Sequence, residues 1–306
     1  MKIRIGIGPG IGASAGLGFD GFNALIDGCE SIGWDSFWFS ERVGGDVLDP
    51  MAAMGVAIGR TKKLKFGTSV LVLPGRNPVL LAKELATLDV LSNGRIVPVF
   101  GLGSPLPSEH ELFGIARSER AERTDEAVEL MVRLWTEDNV THEGRFFTVH
   151  DLTLLPKPVQ KPHPDVWFGG HSDAAARRVG RLGTGWLPSF VAGPEYKAKV
   201  DLIKAVAAEH DREIESDHYG ALIPYVPVGT AEQTTETVLS VVGARRPGVD
   251  PKDVVSVGGD GALRGRLEEF IEAGATKFVV LPAVPPADWG EELQRLYDDV
   301  VTPLEN

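Results

Sequence analysis

Cysteine is almost missing. Cys29 is the only one in 306 residues, so the chain can form no internal disulfide and build no cysteine-based zinc or iron–sulfur site. Long apolar runs are also lacking, and none approaches the roughly 18 residues that a membrane span needs. Lys2 and Arg4 interrupt the apolar alternation at the N-terminus, where neither an apolar signal core nor a cleavage pattern follows. The chain therefore reads as cytoplasmic, with no membrane partner. Basic residues are in deficit, 31 against 43 acidic, for a formal net charge of -12. That sign is wrong for a duplex-binding surface, so no nucleic acid partner is expected. The seven histidines include neither a His-x-His pair nor a His-Glu-x-x-His helix, so no metal site is expected. What remains is ordinary globular material: 43% apolar residues, with 36 glycines and 21 prolines in no low-complexity run.

Short β-type segments recur at Ile3 to Ile7, Ser36 to Phe39, Leu64 to Val70, Arg95 to Phe100, Val166 to Phe168, Gly185 to Leu187, Tyr219 to Val226 and Lys277 to Leu281. Amphipathic helical stretches separate them, as in Ala121, Thr124, Val128, Met131 and Trp135. Early strands begin about every 30 residues, the length of one βα unit, which predicts an α/β fold of the (β/α)8 TIM-barrel type. Asp49-Pro50 and Asn77-Pro78 each set a capping side chain before a proline at the first helical position, and Ser108 with Glu111 reads as a capping box. Two stretches break the rhythm. Residues 137–164 read as a hairpin around Glu143-Gly144 followed by four prolines, an insertion after strand 4 of a single 1–306 domain. Gly243 to Gly261 reads as a long loop, mobile near the site or a flexible surface connection.

In such a barrel the chemistry stands at the C-terminal strand ends. These ends carry glycine, small hydroxyls and apolar residues, and none offers the lysine that Schiff-base chemistry requires. Gly169-Gly170-His171-Ser172 follows a strand and opens a helix, so free amides and the helix dipole could hold a phosphate there; equally, Gly-Gly could turn the chain and Ser172 cap the helix. Gly101-Leu102-Gly103-Ser104 admits either the close approach of a flat ligand or the packing of a bulky neighbour. Glu41 and Arg42, directly after Trp38-Phe39, must point into the mouth or pair locally. Trp38, Phe100, Trp186 and Phe190 read as core before they read as pocket lining.

Several segments together resemble the bacterial-luciferase-like flavin and deazaflavin oxidoreductases: GWDSFWFSERV, LKFGTSVLVLPGRNPVLLAKELATLDVLSNGR, LWTEDNVTHEGRFFTV, LLPKPVQKP and VWFGGHSDAAARRVGRLGTGW. The likeness runs from about Gly33 to Leu187 and is greatest to the actinobacterial branch that uses the deazaflavin coenzyme F420. The resemblance implies F420 as cofactor, with FMN as the alternative, a small-molecule substrate and a homodimer. It implies that the cofactor phosphate lies at Gly169, Gly170, His171 and Ser172. It further implies a non-proline cis peptide at Ser69-Val70 behind the ring, and ring contacts from Glu41, Gly103 and Ser104. The sequence departs from the pattern where many relatives carry a histidine, because Arg42 stays protonated at any working pH and cannot take a proton. Ser104 likewise replaces a familiar glutamate, with Glu109 and His110 further along the loop. The candidate catalytic residues are thus Glu41, Arg42 and His110, with proton transfer falling to Glu41, His110 or a bound water. The rival readings are an FMN-dependent monooxygenase, a non-catalytic cofactor-binding protein, and an unrelated phosphate-binding barrel lyase or isomerase.

Overall fold

The computed structural model describes residues 2–10, 17–103 and 111–305. In chain order the strands are β1 (Arg4–Ile7), β2 (Ser36–Phe39), β3 (Lys65–Thr68), β4 (Leu71–Val72), β5 (Ile96–Val97), β6 (Val99–Gly101), β7 (Val140–Glu143), β8 (Thr148–Leu152), β9 (Trp167–Phe168), β10 (Gly185–Trp186), β11 (Gly220–Tyr225) and β12 (Lys277–Pro282). One sheet runs β11-β12-β1-β2-β3-β5 and a second runs β10-β9-β6-β4. Every pairing in both is parallel. Parallel bridges from Trp186 to Tyr219 and from Ser189 to Leu222 join β10 to β11 and complete the circuit. β3 with β4 forms the third wall position, interrupted at Ser69-Val70, and β5 with β6 forms the fourth, interrupted at Pro98. The eight segments read from the sequence are the eight positions of a TIM barrel.

Alternation along the strands divides the apolar residues between two cores. Trp38, Val99, Trp167, Leu187, Leu222, Val279 and Leu281 fill the barrel interior, while Phe37, Phe39 and Phe66 belong to the larger core between the wall and the helices. Gly67 makes the interior arrangement possible, since a Cβ there would fall 2.2 Å from the Trp38 ring.

The helices are α1 (Phe19–Ile32), α2 (Pro50–Arg60), α3 (Pro78–Ser92), α4 (Arg120–Thr136), α5 (Asp173–Leu182), α6 (Gly193–Glu209), α7 (Glu232–Arg245), α8 (Pro251–Val254), α9 (Asp260–Glu272) and α10 (Trp289–Leu296). Asp49 caps α2 by accepting from the amides of Met51 and Ala52, and Asn77 caps α3 through Val79 and Leu80. Ser108 of the expected capping box lies outside the described residues. In α4, Thr124, Ala127, Val128, Met131, Leu134 and Trp135 turn inward at the expected spacing.

Antiparallel β7 and β8 form the hairpin read around Glu143-Gly144. It stands between α4 and β9, pinned by the Glu126 carboxylate, which accepts from the amides of Phe146 and Phe147. The proline-rich return to β9 contains cis bonds at Leu155-Pro156 and Lys161-Pro162. Gly243 to Gly261 is more regular than its glycines and prolines imply: Asp250 caps the short α8, and Ser256 pairs with Tyr225. Val242, Val254 and Val255 pack there with Val226 and Ala283 in a small core that Phe190 joins.

The N-terminal end of the barrel is closed by charge. Asp35 receives Lys277 at 2.9 Å, Lys65 at 3.3 Å and Arg4 at 3.5 Å. Burial pushes its carboxyl up, but the attraction of Lys277 and Lys65 outweighs burial and brings it down to about 2.

Candidate functional site

At the opposite, C-terminal end, the wall breaks between β3 and β4. The Ser69-Val70 peptide is cis, as the family resemblance implied. Neighbouring backbone holds it on both sides: the Ser69 amide donates to Phe39 O at 2.7 Å, and the Glu41 amide donates to Val70 O at 3.2 Å. Ser40 Oγ lies 3.1 Å from Ser69 Oγ. The Val70 side chain leans across two bare backbones. A Cβ on Gly101 would stand 2.4 Å from Val70 Cγ2, and one on Gly169 would stand 2.6 Å from Val70 Cγ1. Glycine at 101 therefore serves packing, and the packing creates an apolar ledge at the mouth.

The ledge leads directly into the Gly-Gly turn. Gly169 donates its amide to Phe100 O at 2.9 Å, and Gly170 adopts a φ of +91°, a left-handed conformation that glycine adopts without strain. Its carbonyl accepts from Trp186 Nε1 at 2.9 Å. Ser172 is the N-cap of α5, its hydroxyl accepting from the Ala175 amide at 3.2 Å. The capping reading of Ser172 is thus correct, and it leaves the anion reading open, because the first amides of a helix have no intrahelical acceptor. His171 is half-buried, and burial followed by the nearby cation Arg246 lowers its pKa from the usual imidazole value. Arg246 belongs to the stretch after α7 and donates to Glu195 at 2.6 Å; Lys199 pairs with Asp173 in the first turn of α5. Sequence reading missed both cations, which stand far along the chain from the turn they flank.

The remaining candidates fall in different surroundings. Glu41 has a side chain only 6% exposed and pairs with Arg76 at 2.5 Å; its other oxygen accepts from the Val72 amide at 2.5 Å. Arg42 is half-buried in the loop after β2, and its carbonyl accepts from the Gly45 amide. Gly103 has a φ of +80°, and a Cβ there would lie 3.0 Å from Val72 Cγ1, so Gly103 belongs with the same wall break. Ser104 and His110 lie outside the described residues. Trp38, Phe100 and Trp186 are fully buried, as the core reading expected, and Phe190 packs against the core beside α7. A cavity of about 360 Å³ opens beside the mouth, between the ends of β1 and β2 and helix α1, lined by Phe22, Phe39, Ser40, Asp46 and Leu48.

The chain is thus a closed parallel TIM barrel with a non-proline cis peptide ending its third wall position and a glycine turn opening the helix after its fifth. Residues 2–276 match the model of the luciferase-like monooxygenase family, and the chain belongs to it. Among its relatives is an FMNH2-dependent dimethylsulfone monooxygenase of Pseudomonas putida, 31% identical over 66% of this chain and 54% of that one. Another is an F420-dependent glucose-6-phosphate dehydrogenase of Amycolatopsis mediterranei, 33% identical over 54% of this chain and 52% of that one. The chain spans about half the length of these curated relatives. Among solved structures, an F420-dependent secondary alcohol dehydrogenase bound to an F420–acetone adduct superposes with a TM-score of 0.83, covering 98% of this chain and 99% of that one at 22% identity. The F420-dependent tetrahydromethanopterin reductase of Methanopyrus kandleri superposes with a TM-score of 0.78 over the full length of both chains at 17% identity. At these identities the two superpositions establish the fold.

Proposed function

We propose that this protein is an F420-dependent oxidoreductase, with FMN-dependent monooxygenation as the second reading, and that its substrate is a small organic molecule. One observation carries the proposal: the Val70 ledge and the start of α5 are contiguous, Gly169 joining one to the other. A flat ring with a phosphorylated tail needs those two features side by side. Relatives of both cofactor classes support the pair of readings.

The donor set fits such a cofactor. Val70 offers an apolar surface, while Gly170, His171 and Ser172 offer amides at a helix start with Arg246 and Lys199 near it. When bound, the cofactor supplies hydride transfer, and the protein contributes orientation and exclusion of water. Arg42, a permanent cation after β2, is assigned to the negative charge of the ring or of the substrate. Both Glu41 oxygens already accept hydrogen bonds, so proton transfer is assigned to His110 or a bound water. We also propose that the protein acts in the cytoplasm as a homodimer. The outward face of α2 supports pairing, since Val56 is 49% exposed there beside exposed Ala52, Gly55 and Gly59. Adding F420 to the purified protein tests the function: binding should change the cofactor's absorption and fluorescence, and the absence of any change with F420 and with FMN would refute it.

A further inference from the structure

Glu41 and Arg76 are 35 residues apart in sequence and meet at the break between β3 and β4. Glu41 grips that break twice. Its backbone amide donates to Val70 O at 3.2 Å, and its Oε2 accepts from the Val72 amide at 2.5 Å. Between those two points lies the segment that presents Val70 to the mouth. The Glu41 side chain is 6% exposed, and a carboxylate so enclosed is costly unless a cation and further donors satisfy it. Arg76 supplies that cation through Nη2 at 2.5 Å. Arg76 is itself fixed to the chain leaving β4, its amide donating to Leu73 O at 3.0 Å. Val72, held by Glu41, occupies the space a Cβ on Gly103 would need, and Val70 the space that Cβ atoms on Gly101 and Gly169 would need.

We propose that Arg76 is a positioning residue of this site: it pairs with Glu41 and holds that side chain as a brace across the wall break, and the brace sets the height and tilt of the Val70 ledge on which the cofactor ring rests. This inference rests on the function proposed above. It also gives Glu41 a different role from the one its place after β2 implied, since the carboxylate orders the ledge and does not exchange a proton with the substrate. Glu41→Gln is a sharp probe, because an isosteric amide must turn an NH2 group toward either the Val72 amide or the Arg76 guanidinium, and donor then faces donor.

The full-length protein and its Arg76→Met, Arg76→Lys and Glu41→Gln variants are titrated with F420 and with FMN by fluorescence, and their folding is checked by thermal melts. Arg76→Met and Glu41→Gln should each weaken cofactor binding at least 10-fold, while Arg76→Lys, which retains the charge, should recover most of the loss. A residue that merely stabilised the fold would lower the melting midpoint and leave the affinity of the folded fraction unchanged. If Arg76→Met does not fold, the isosteric Glu41→Gln decides the matter alone. Wild-type affinity in a folded Arg76→Met or Glu41→Gln variant overturns this inference and leaves the function standing. Failure of the wild type to bind either cofactor overturns the function and the role given to Arg76 with it.

Discussion

Gly101→Ala places one methyl group at the most crowded point of the proposed site. The new Cβ would stand 2.4 Å from Val70 Cγ2, against the 3.5–4.0 Å or so of an ordinary carbon contact, so the two groups must separate by about 1.1–1.6 Å. Val70 cannot rotate away freely, because its χ1 is stiff and its other methyl lies against Gly169. Overpacking of this kind typically costs ~1–3 kcal/mol. A cooperative unit of 306 residues has an unfolding entropy near 0.64 kcal/mol/K at roughly 2.1 cal/mol/K per residue, so the melting midpoint should fall by about 2–5 °C. The displaced ledge should also weaken cofactor binding by about 10-fold, equivalent to ~1.4 kcal/mol. The double variant Gly101→Ala/Val70→Ala removes the methyls that collide, so its stability loss should be smaller than the sum of the two single losses. Thermal melts and fluorescence titrations of the three variants check this. An unchanged midpoint and an unchanged affinity in Gly101→Ala would refute the account of the ledge.

Two further predictions concern the ends of the barrel. Ser172→Asp retains a good helix cap but sets a carboxylate at the position proposed for the cofactor phosphate, so binding should weaken by about 10-fold or more with the melting midpoint retained, as titration and thermal melts would show. At the floor, Asp35 is lowered from 3.8 to about 2. A depressed carboxyl gives stability that is present above its unfolded value and lost as pH falls through its folded one. The wild type should therefore lose ~2 kcal/mol of this contribution between about pH 4 and pH 2. Denaturant midpoints across that range should fall more steeply for the wild type than for Asp35→Asn; equal slopes would remove Asp35 from the acid response.

The fold was legible because its signals are local. The continuous apolar run Phe37 to Phe39 and the caps Asp49 and Asn77, each followed by a proline, act within a few residues of themselves, and the strands and helices form where those signals stand. Asp250-Pro251 carries the same cap signal, yet the glycines and prolines around it masked a short helix. The candidate residues were legible as residues at strand ends, and their contacts were less so. Glu41 follows its strand as expected, but its partner Arg76 is brought in by the turn after β4, and no local pattern links them. Likewise Arg246 comes near His171 from the end of a helix far along the chain, a tertiary approach without a periodic signature. Glycine at 101 and 169 was visible, whereas the Val70 side chain that occupies the space depends on the fold of three separate strand ends.

The central claim, that this barrel mouth holds F420 for hydride transfer, is tested most directly by side-by-side fluorescence titration of the purified protein with F420 and with FMN under identical conditions. Binding of both cofactors should be saturable and tighter for F420, because the role proposed for Arg42, a permanent cation in the loop after β2, favours a ring that is anionic near neutral pH. Micromolar binding of FMN with no detectable binding of F420 would contradict it.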